Sequence, residues 1–242
     1  MSYIFREHIK QGLAVIAFLI TLTACTSESY DAGDGPNSYL TADLVLLHTS
    51  QDKSVRSALL DDGTTLQFSN PFAQDWLTRP DSVYRALLYY DKTVAASDAA
   101  ASNPTATSIV RARSIRPVSV LRPVEAEDME TLRTDPVGFE SLWMSKNKSY
   151  INLSLLLKSG KTEADDALHA LGIVSHGTTT NADRRRTLHL TLYHDQGGVP
   201  AYYTVQQYVS IPTQLLEEAD TVELTLNTYN GKKVMKVAVS NL

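Results

Sequence analysis

Residues Thr221 to Val239 read TVELTLNTYNGKKVMKVAV, and this segment indicates the fold class most directly. Val222, Leu224 and Leu226 alternate with polar residues, which is the period of a strand with one buried face. Asn230-Gly231 follows, and this dipeptide favours a tight hairpin because glycine adopts a positive φ without steric cost. The sequence therefore predicts two antiparallel strands joined by a short turn.

The same alternation recurs through the second half of the chain. Predicted strands cover Tyr150–Lys158, Leu168–Ser175, Thr187–Tyr193 and Tyr202–Ile211. In the first of these strands, Leu156 is an apolar residue on the face that should be polar. This indicates that both faces of that strand are covered. Six or more antiparallel strands, each with an apolar face, predict a β-sandwich over residues 136–242.

The first half carries the same kind of pattern. Asp61-Asp62-Gly63 separates two apolar runs and predicts a second hairpin. Five strands in residues 40–122 fit a small barrel of the OB type. Pro123 and Pro136 bracket an acidic stretch, so residues 123–135 are predicted to be a linker. The expected fold is all-β, an OB-like barrel followed by an antiparallel β-sandwich.

The N-terminus has the features of a processing signal. Arg6 and Lys10 precede an apolar run from Gly12 to Ala24, which is too short to span a bilayer but has the length of a signal-peptide core. Leu22-Thr23-Ala24-Cys25 has the form of a lipobox, so residues 1–24 are predicted to be cleaved and Cys25 to be lipidated. The polar, acidic residues 25–39 are predicted to be a flexible tether. Thr26 follows the cysteine where aspartate would favour the inner membrane, so we expect attachment to the outer membrane.

Composition narrows the classes of function. The 242 residues contain 22 Lys and Arg against 27 Asp and Glu, a formal charge of −5, which argues against a nucleic-acid-binding protein with a basic surface. Cys25 is the only cysteine, so no internal disulfide can form.

Several motifs together resemble a known family. They are Asp135-Pro136-Val137-Gly138-Phe139-Glu140-Ser141-Leu142-Trp143, Tyr150-Ile151-Asn152-Leu153, Leu192-Tyr193-His194-Asp195-Gln196-Gly197-Gly198, Leu226-Asn227-Thr228-Tyr229-Asn230-Gly231 and, in the first half, Asp61-Asp62-Gly63-Thr64. With the lipobox, this set is similar to the NigD-like lipoproteins of Bacteroidota. The resemblance implies an N-terminal OB-like domain and a C-terminal β-sandwich, and it implies no specific activity.

The sequence contains no complete catalytic or metal-binding motif. Ser159-Gly160-Lys161-Thr162 lacks the first glycine of a phosphate-binding loop, because position 155 is leucine. There is no H-E-x-x-H or G-x-S-x-G motif. His189 and His194 are five residues apart, so on one strand they face opposite sides. We therefore predict no catalytic residue, metal or cofactor, although a catalytic set dispersed along the chain stays open.

Two groups of residues are candidates for other roles. Arg184, Arg185 and Arg186 form a basic hairpin tip, and Trp76 lies in an aromatic group after the first hairpin; these four are the predicted partner contacts. Asp81-Ser82-Val83 and Asp220-Thr221-Val222 match a short O-glycosylation pattern, which marks Ser82 and Thr221 as predicted modification sites.

The sequence thus favours a non-enzymatic envelope lipoprotein. Its lipid would hold it on the membrane, and its β modules would bind a protein or glycan partner, with no role for nucleic acid. Two alternatives remain open at this point: a bacteriocin-associated accessory or immunity factor, and a hydrolase with a dispersed catalytic set.

Overall fold

The computed structural model describes residues 40–92, 108–161, 168–216 and 219–239. These ranges contain strands and two short 3₁₀ helices, Ala126–Asp128 and Thr213–Leu215, and no α-helix. The strands are β1 Leu40–Thr49, β2 Val55–Leu60, β3 Thr65–Phe72, β4 Val83–Lys92, β5 Ser108–Pro117, β6 Ser119–Val120, β7 Pro123–Glu125, β8 Gly138–Met144, β9 Tyr150–Ser159, β10 Ala170–Thr180, β11 Arg186–Asp195, β12 Tyr203–Pro212, β13 Thr221–Thr228 and β14 Gly231–Ala238.

The first five strands close into a barrel in the order β1-β2-β3-β5-β4. All neighbours are antiparallel except β3 and β5, which pair in parallel. The interior is fully apolar at its centre, where Val45, Leu47 and Leu88 are 0% exposed. Leu77, from the connection between β3 and β4, is also buried in this core. The predicted OB-like barrel is confirmed.

The hairpin between β2 and β3 forms at the predicted dipeptide. Gly63 has φ +89°, a conformation that a residue with a Cβ adopts only with strain. The Leu60 amide donates to the Thr64 carbonyl at 2.8 Å, and the Asp62 carboxylate accepts from the Thr64 amide at 2.9 Å. These bonds fix the turn and determine where Asp61 and Asp62 point.

The remaining strands form a two-layered sandwich. One sheet has the order β14-β13-β11-β10-β7, and the other has the order β6-β12-β9-β8. Four of the seven pairings among these described strands are antiparallel, and β13 pairs with β11 in parallel because the chain visits the other sheet between them. The core is built from alternate residues of both sheets, including Leu153, Val209 and Leu226. The predicted β-sandwich is confirmed.

The segment that joins the two modules differs from the predicted linker. β6 pairs with β12, and β7 pairs with β10, so residues 119–125 already belong to the sandwich. Thr134 bridges to His194, and the Asp135 amide donates to the His194 carbonyl at 2.9 Å. Strands of two or three residues next to prolines are too short to show an alternating pattern, which is why the sequence favoured a linker.

β9 is covered on both sides, as the apolar residue Leu156 indicated. Its inward residues lie in the sandwich core, and on the opposite face Asn152 and Ser154 are also buried. The barrel packs over this face, because Arg85 of β4 bonds to Asn152 and to Ser210. Residues from Leu40 onward accordingly cluster as one compact unit.

Candidate functional site

A cleft of about 640 Å³ opens where the barrel meets the sandwich. This volume lies within the usual range for ligand-binding sites, about 300–1,000 Å³. The barrel contributes residues of β1, β4 and the β2–β3 hairpin, and the sandwich contributes residues of β8, β9 and β12. The cleft is lined by Ala42, Asp43, Leu44, Leu60, Asp61, Asp62, Leu87, Tyr89, Glu140, Ser141, Trp143, Met144, Ser145, Lys146, Ser154, Gln206 and Tyr208.

A polar network holds the two modules together at one side of the cleft. The Arg85 guanidinium donates to both carboxylate oxygens of Asp61, at 2.6 and 2.7 Å. It also donates to Asn152 Oδ1 at 3.1 Å and to Ser210 Oγ at 3.2 Å, and it lies 4.3 Å from the centre of the Tyr150 ring. Asn152 Nδ2 donates in turn to Asp61 at 3.2 Å. Each hydrogen bond of this buried guanidinium requires its acceptor to lie in a particular direction. The network therefore fixes the orientation of the β2–β3 hairpin relative to β9 and β12.

Aromatic side chains form one wall of the cleft. Trp143 of β8 and Tyr208 of β12 pack edge to face with ring centres 6.3 Å apart. With Tyr89 of β4, they pack against a small apolar cluster that contains Leu44 and Leu87 of the barrel. The cleft therefore has a rigid apolar surface supplied by both modules.

Carboxylates form the other part of the lining. Glu140 accepts hydrogen bonds from Ser154 Oγ at 2.6 Å and from Gln206 Nε2. Asp43 accepts from Tyr90 Oη at 2.9 Å, and burial raises the pKa of Tyr90 above its ordinary range. The Thr64 amide, more than any other group, lowers the pKa of the Asp62 carboxyl. Asp62 is therefore ionised at neutral pH and adds negative charge to the cleft.

The described residues also contain a hydroxyl–imidazole–carboxylate row. Thr179 Oγ1 lies 2.8 Å from His189 Nε2, and His189 Nδ1 lies 3.2 Å from Glu223 Oε1. These residues stand on the outward face of the five-stranded sheet, on β10, β11 and β13, and none of them lines the cleft. Lys236 binds the other oxygen of Glu223 at 3.1 Å, and its hydrogen bond is the main cause that lowers the pKa of that carboxyl. A triad needs donors for the oxyanion around a sheltered nucleophile, so we assign this row to cross-strand pairing rather than to catalysis.

A second pair of histidines lies at the end of β11. His194 is 1% exposed, and its Nδ1 donates to the Asp135 carbonyl at 2.9 Å. Its Nε2 therefore accepts from His169 Nδ1 at 3.0 Å. His194 faces inward and His189 outward, in agreement with their spacing. In the ranges that the structure describes, no three side chains of metal-ligating type converge on one point.

The partner contacts predicted from the sequence lie apart from the cleft. Arg184–Arg186 are at the β10–β11 turn, where Arg184 has φ +64° and Arg185 lies 3.7 Å from Asp183. Trp76 packs edge to face on Tyr84 against the barrel core. No contact within the described ranges joins Trp76 to the arginines. The role of these four residues as partner contacts stays a prediction.

The predicted modification sites have different environments. Ser82 is half-buried, and its hydroxyl donates to the Pro80 carbonyl at 2.8 Å. Thr221 begins β13 between Thr187 and Ala238 and is also half-buried. Cys25, residues 1–24 and residues 25–39 lie outside the described residues. Glycosylation and lipidation at these positions stay predictions.

Few features of the sequence predict the cleft. Its lining comes from six separate segments, and the residues that close it, such as Glu140 and Gln206, stand at exposed strand positions where a polar residue is ordinary. Two local signals did point here: the Asp61-Asp62-Gly63 turn and the apolar Leu156 on the covered face of β9. Neither could show that the barrel lies against that face.

Comparison with known proteins agrees with the fold. Residues 120–239 match the family of the NigD-like C-terminal beta sandwich domain. No curated protein matches the chain in sequence. Within the described residues, no helix has the length and apolar character that crossing a bilayer requires.

Three solved structures with this fold come from species of Bacteroides. A NigD-like immunity protein from Bacteroides caccae is 22% identical with a TM-score of 0.59, over 81% of this chain and 91% of that one. A protein of unknown function from Bacteroides vulgatus is 16% identical with a TM-score of 0.59, over 82% and 90%. A candidate lipoprotein from Bacteroides fragilis is 14% identical with a TM-score of 0.57, over 83% and 98%. At such low sequence identities, the structural likeness shows a shared fold alone.

Proposed function

We propose that this chain, whose residues 120–239 belong to the NigD-like family, is a lipid-anchored protein of the cell envelope that binds a partner without transforming it. The observation that carries the proposal is the cleft between the barrel and the sandwich. It combines a suitable volume, a rigid aromatic wall and fixed polar groups, which are the features of a binding site. The predicted lipobox at Cys25 supplies the anchor.

The hydrogen bonds that already engage the hydroxyl groups of the cleft favour binding over catalysis. The described lining contains two buried hydroxyls, those of Ser145 and Ser154. Ser154 donates to Glu140 while accepting from Gln206 at 3.0 Å, and Ser145 donates to Asn147 Oδ1 at 2.8 Å. No histidine lines the cleft. The one base within the described lining that contacts a buried serine hydroxyl is the Glu140 carboxylate, whose bonded oxygen also accepts from Gln206, and no imidazole stands beside Ser154 to activate it.

Blocking the cleft tests the binding role. Ser141 is exposed on β8 and lines the cleft, so Ser141→Trp should fill it without disturbing the core. Ser119 is exposed on β6, the other edge of the same sheet, and Ser119→Trp is the matched control. We expect affinity capture from native membranes with the full, lipidated chain to lose its specific partner with Ser141→Trp and to keep it with Ser119→Trp. Equal capture by both variants would exclude the cleft as the binding site.

Removing the thiol tests the anchor separately. Cys25→Ser deletes the only atom that can take the diacylglyceryl group, and acyl chains contribute about 0.8 kcal/mol per buried CH₂ to membrane binding. We expect the variant to leave the membrane fraction while its thermal unfolding stays unchanged. A variant that stays with the outer membrane would contradict lipidation at this residue.

One of the similar structures suggests a class of protein partner. The Bacteroides caccae protein is described as an immunity protein, so a bacteriocin is one protein partner to include in the capture experiment. In this narrower proposal, deletion of the gene should change bacteriocin sensitivity or production. An unchanged response would remove the immunity role and leave the binding role intact.

A further inference from the structure

We infer that the cleft receives a cationic segment of a protein partner, with a lysine or arginine side chain inserted between its carboxylates and its aromatic wall. This inference rests on the proposed function and specifies the chemistry of its partner.

The charges of the lining are strongly unequal. Asp43, Asp62 and Glu140 face the cleft, whereas Lys146 is the one cationic side chain among the described lining residues. Lys146 is 81% exposed and lies 4.0 Å from Asp62, so it offsets at most one of these three negative charges. A fourth carboxylate, Asp61, is already paired with Arg85. The cleft therefore presents a surplus of negative charge that a cationic group would complement.

The carboxylates are held in place before any ligand arrives. Glu140 is oriented by Ser154 and Gln206, and each of these bonds uses the same oxygen, Oε2. Asp43 is oriented by Tyr90 through Oδ2. No hydrogen bond among the described residues uses the other oxygen of either group. These remaining oxygens can accept charge-assisted hydrogen bonds from a ligand, and the fixed side chains lose little entropy on binding.

The aromatic wall suits the rest of such a side chain. The rings of Tyr89, Trp143 and Tyr208 offer apolar surface to the methylene groups of lysine or arginine. Their faces also attract a cation that lies within about 6 Å of the ring centre. A neutral glycan could stack on these rings, but it would not need the carboxylates, and an anionic glycan would be repelled by them.

Fluorescence titration of the full chain in detergent tests this inference. The chain has two tryptophans, and Trp76→Phe leaves Trp143 as the only one, inside the cleft. The probe is a capped tetralysine peptide, compared with a capped tetraserine peptide and a neutral tetrasaccharide. We expect a saturable change in Trp143 emission with tetralysine only, and weaker binding at about 0.5 M salt than at about 0.05 M, because salt screens exposed charges.

Variants connect the binding to the carboxylates. Glu140→Gln and Asp62→Asn should each weaken tetralysine binding about two- to fivefold, the usual effect of one exposed charge pair. Glu130→Gln makes the same change of charge at an exposed residue outside the lining and should have no effect.

Two results would overturn the inference. Tetralysine that leaves Trp143 emission unchanged would exclude a cationic ligand, as would binding of equal strength by tetraserine or the tetrasaccharide. The capture experiment then separates the binding role of the cleft from the cationic nature of its ligand. A native partner that is lost with Ser141→Trp, but is still bound by Glu140→Gln and at high salt, would support a binding cleft whose ligand is uncharged.

Discussion

Among the single residues, His169 is one whose protonation opposes folding. Burial, followed by the neighbouring His194, lowers its pKa below the usual value of about 6.5. The nearby carbonyl of Lys158 acts in the opposite direction and is outweighed. His169 Nε2 is buried and accepts no hydrogen bond from the described residues. The folded chain therefore favours the neutral ring.

The sign of the pH dependence follows from linkage. The unfolded chain takes up a proton on His169 as the pH falls through about 6.5, while the folded chain does so only at lower pH. The free energy of unfolding should thus decrease as the pH falls through about 6.5, and it should level off below the lowered pKa of His169. We predict that His169→Gln reduces the difference in melting temperature between pH 8 and pH 5, whereas His48→Gln, on an exposed position of β1, leaves it unchanged. An undiminished difference in His169→Gln would assign the acid sensitivity to other groups.

At the scale of elements, the close approach of β8 to β9 depends on a glycine. Gly138 pairs with Leu156, and a Cβ at this position would stand 2.7 Å from Leu156 Cβ and 3.2 Å from its carbonyl oxygen. These atoms are not the free end of a flexible side chain, so the strands would have to separate.

We predict that Gly138→Ala lowers the free energy of unfolding by about 1–3 kcal/mol, the usual cost of overpacking. Gly172→Ala is the matched control, because β10 is also a strand and the nearest atom there would be 3.5 Å away, an ordinary contact. Chemical denaturation of both variants gives the comparison. A smaller loss for Gly138→Ala than for Gly172→Ala would mean that β8 moves freely away from β9.

The elements also show how far the sequence could predict the fold. Long strands with a regular period were predictable, because Val222, Leu224 and Leu226 must share a face and Asn230-Gly231 must turn. β6 and β7 were not, because strands of two and three residues are defined only by the strands that they pair with. The parallel pairing of β11 with β13 was also hidden, since it depends on the order in which the chain visits the two sheets.

The cleft illustrates the same limit for a site. The tryptophan and the basic turn that the sequence singled out, Trp76 and Arg184–Arg186, are conspicuous within short windows. Glu140, Ser154 and Gln206 are ordinary residues until β8, β9 and β12 bring them together. Local patterns therefore predicted the strands that carry the site, and the packing of two modules determined the site itself.

At the scale of the whole molecule, the barrel and the sandwich are joined through a charged group rather than through apolar contacts alone. Arg85 is 4% exposed and bonds to Asp61, on its own module, and to Asn152 and Ser210, on the other module. Asp61 reaches the same Asn152. The network thus links the β2–β3 hairpin to the sheet that forms the floor of the cleft.

Removing one member of such a network leaves the other charge unpaired. We predict that Arg85→Met lowers the free energy of unfolding by about 3 kcal/mol, since Asp61 keeps only part of its hydrogen bonding and part of its contact with water. Arg122→Met, at an exposed arginine between β6 and β7, should change it by less than about 0.5 kcal/mol. Urea denaturation followed by tryptophan emission and circular dichroism gives both values.

The decisive variant changes both partners. Arg85→Met with Asp61→Asn removes the unpaired carboxylate as well as the guanidinium, so the double variant should be more stable than Arg85→Met alone, because no buried charge then lacks its counterpart. Losses that simply add would mean that Arg85 and Asp61 act independently. If they act as one unit, the double variant should retain its fold but lose the fixed orientation of the hairpin on β9. Tetralysine binding in the cleft should then weaken, because Asp62 on that hairpin would no longer be held in the lining of the cleft.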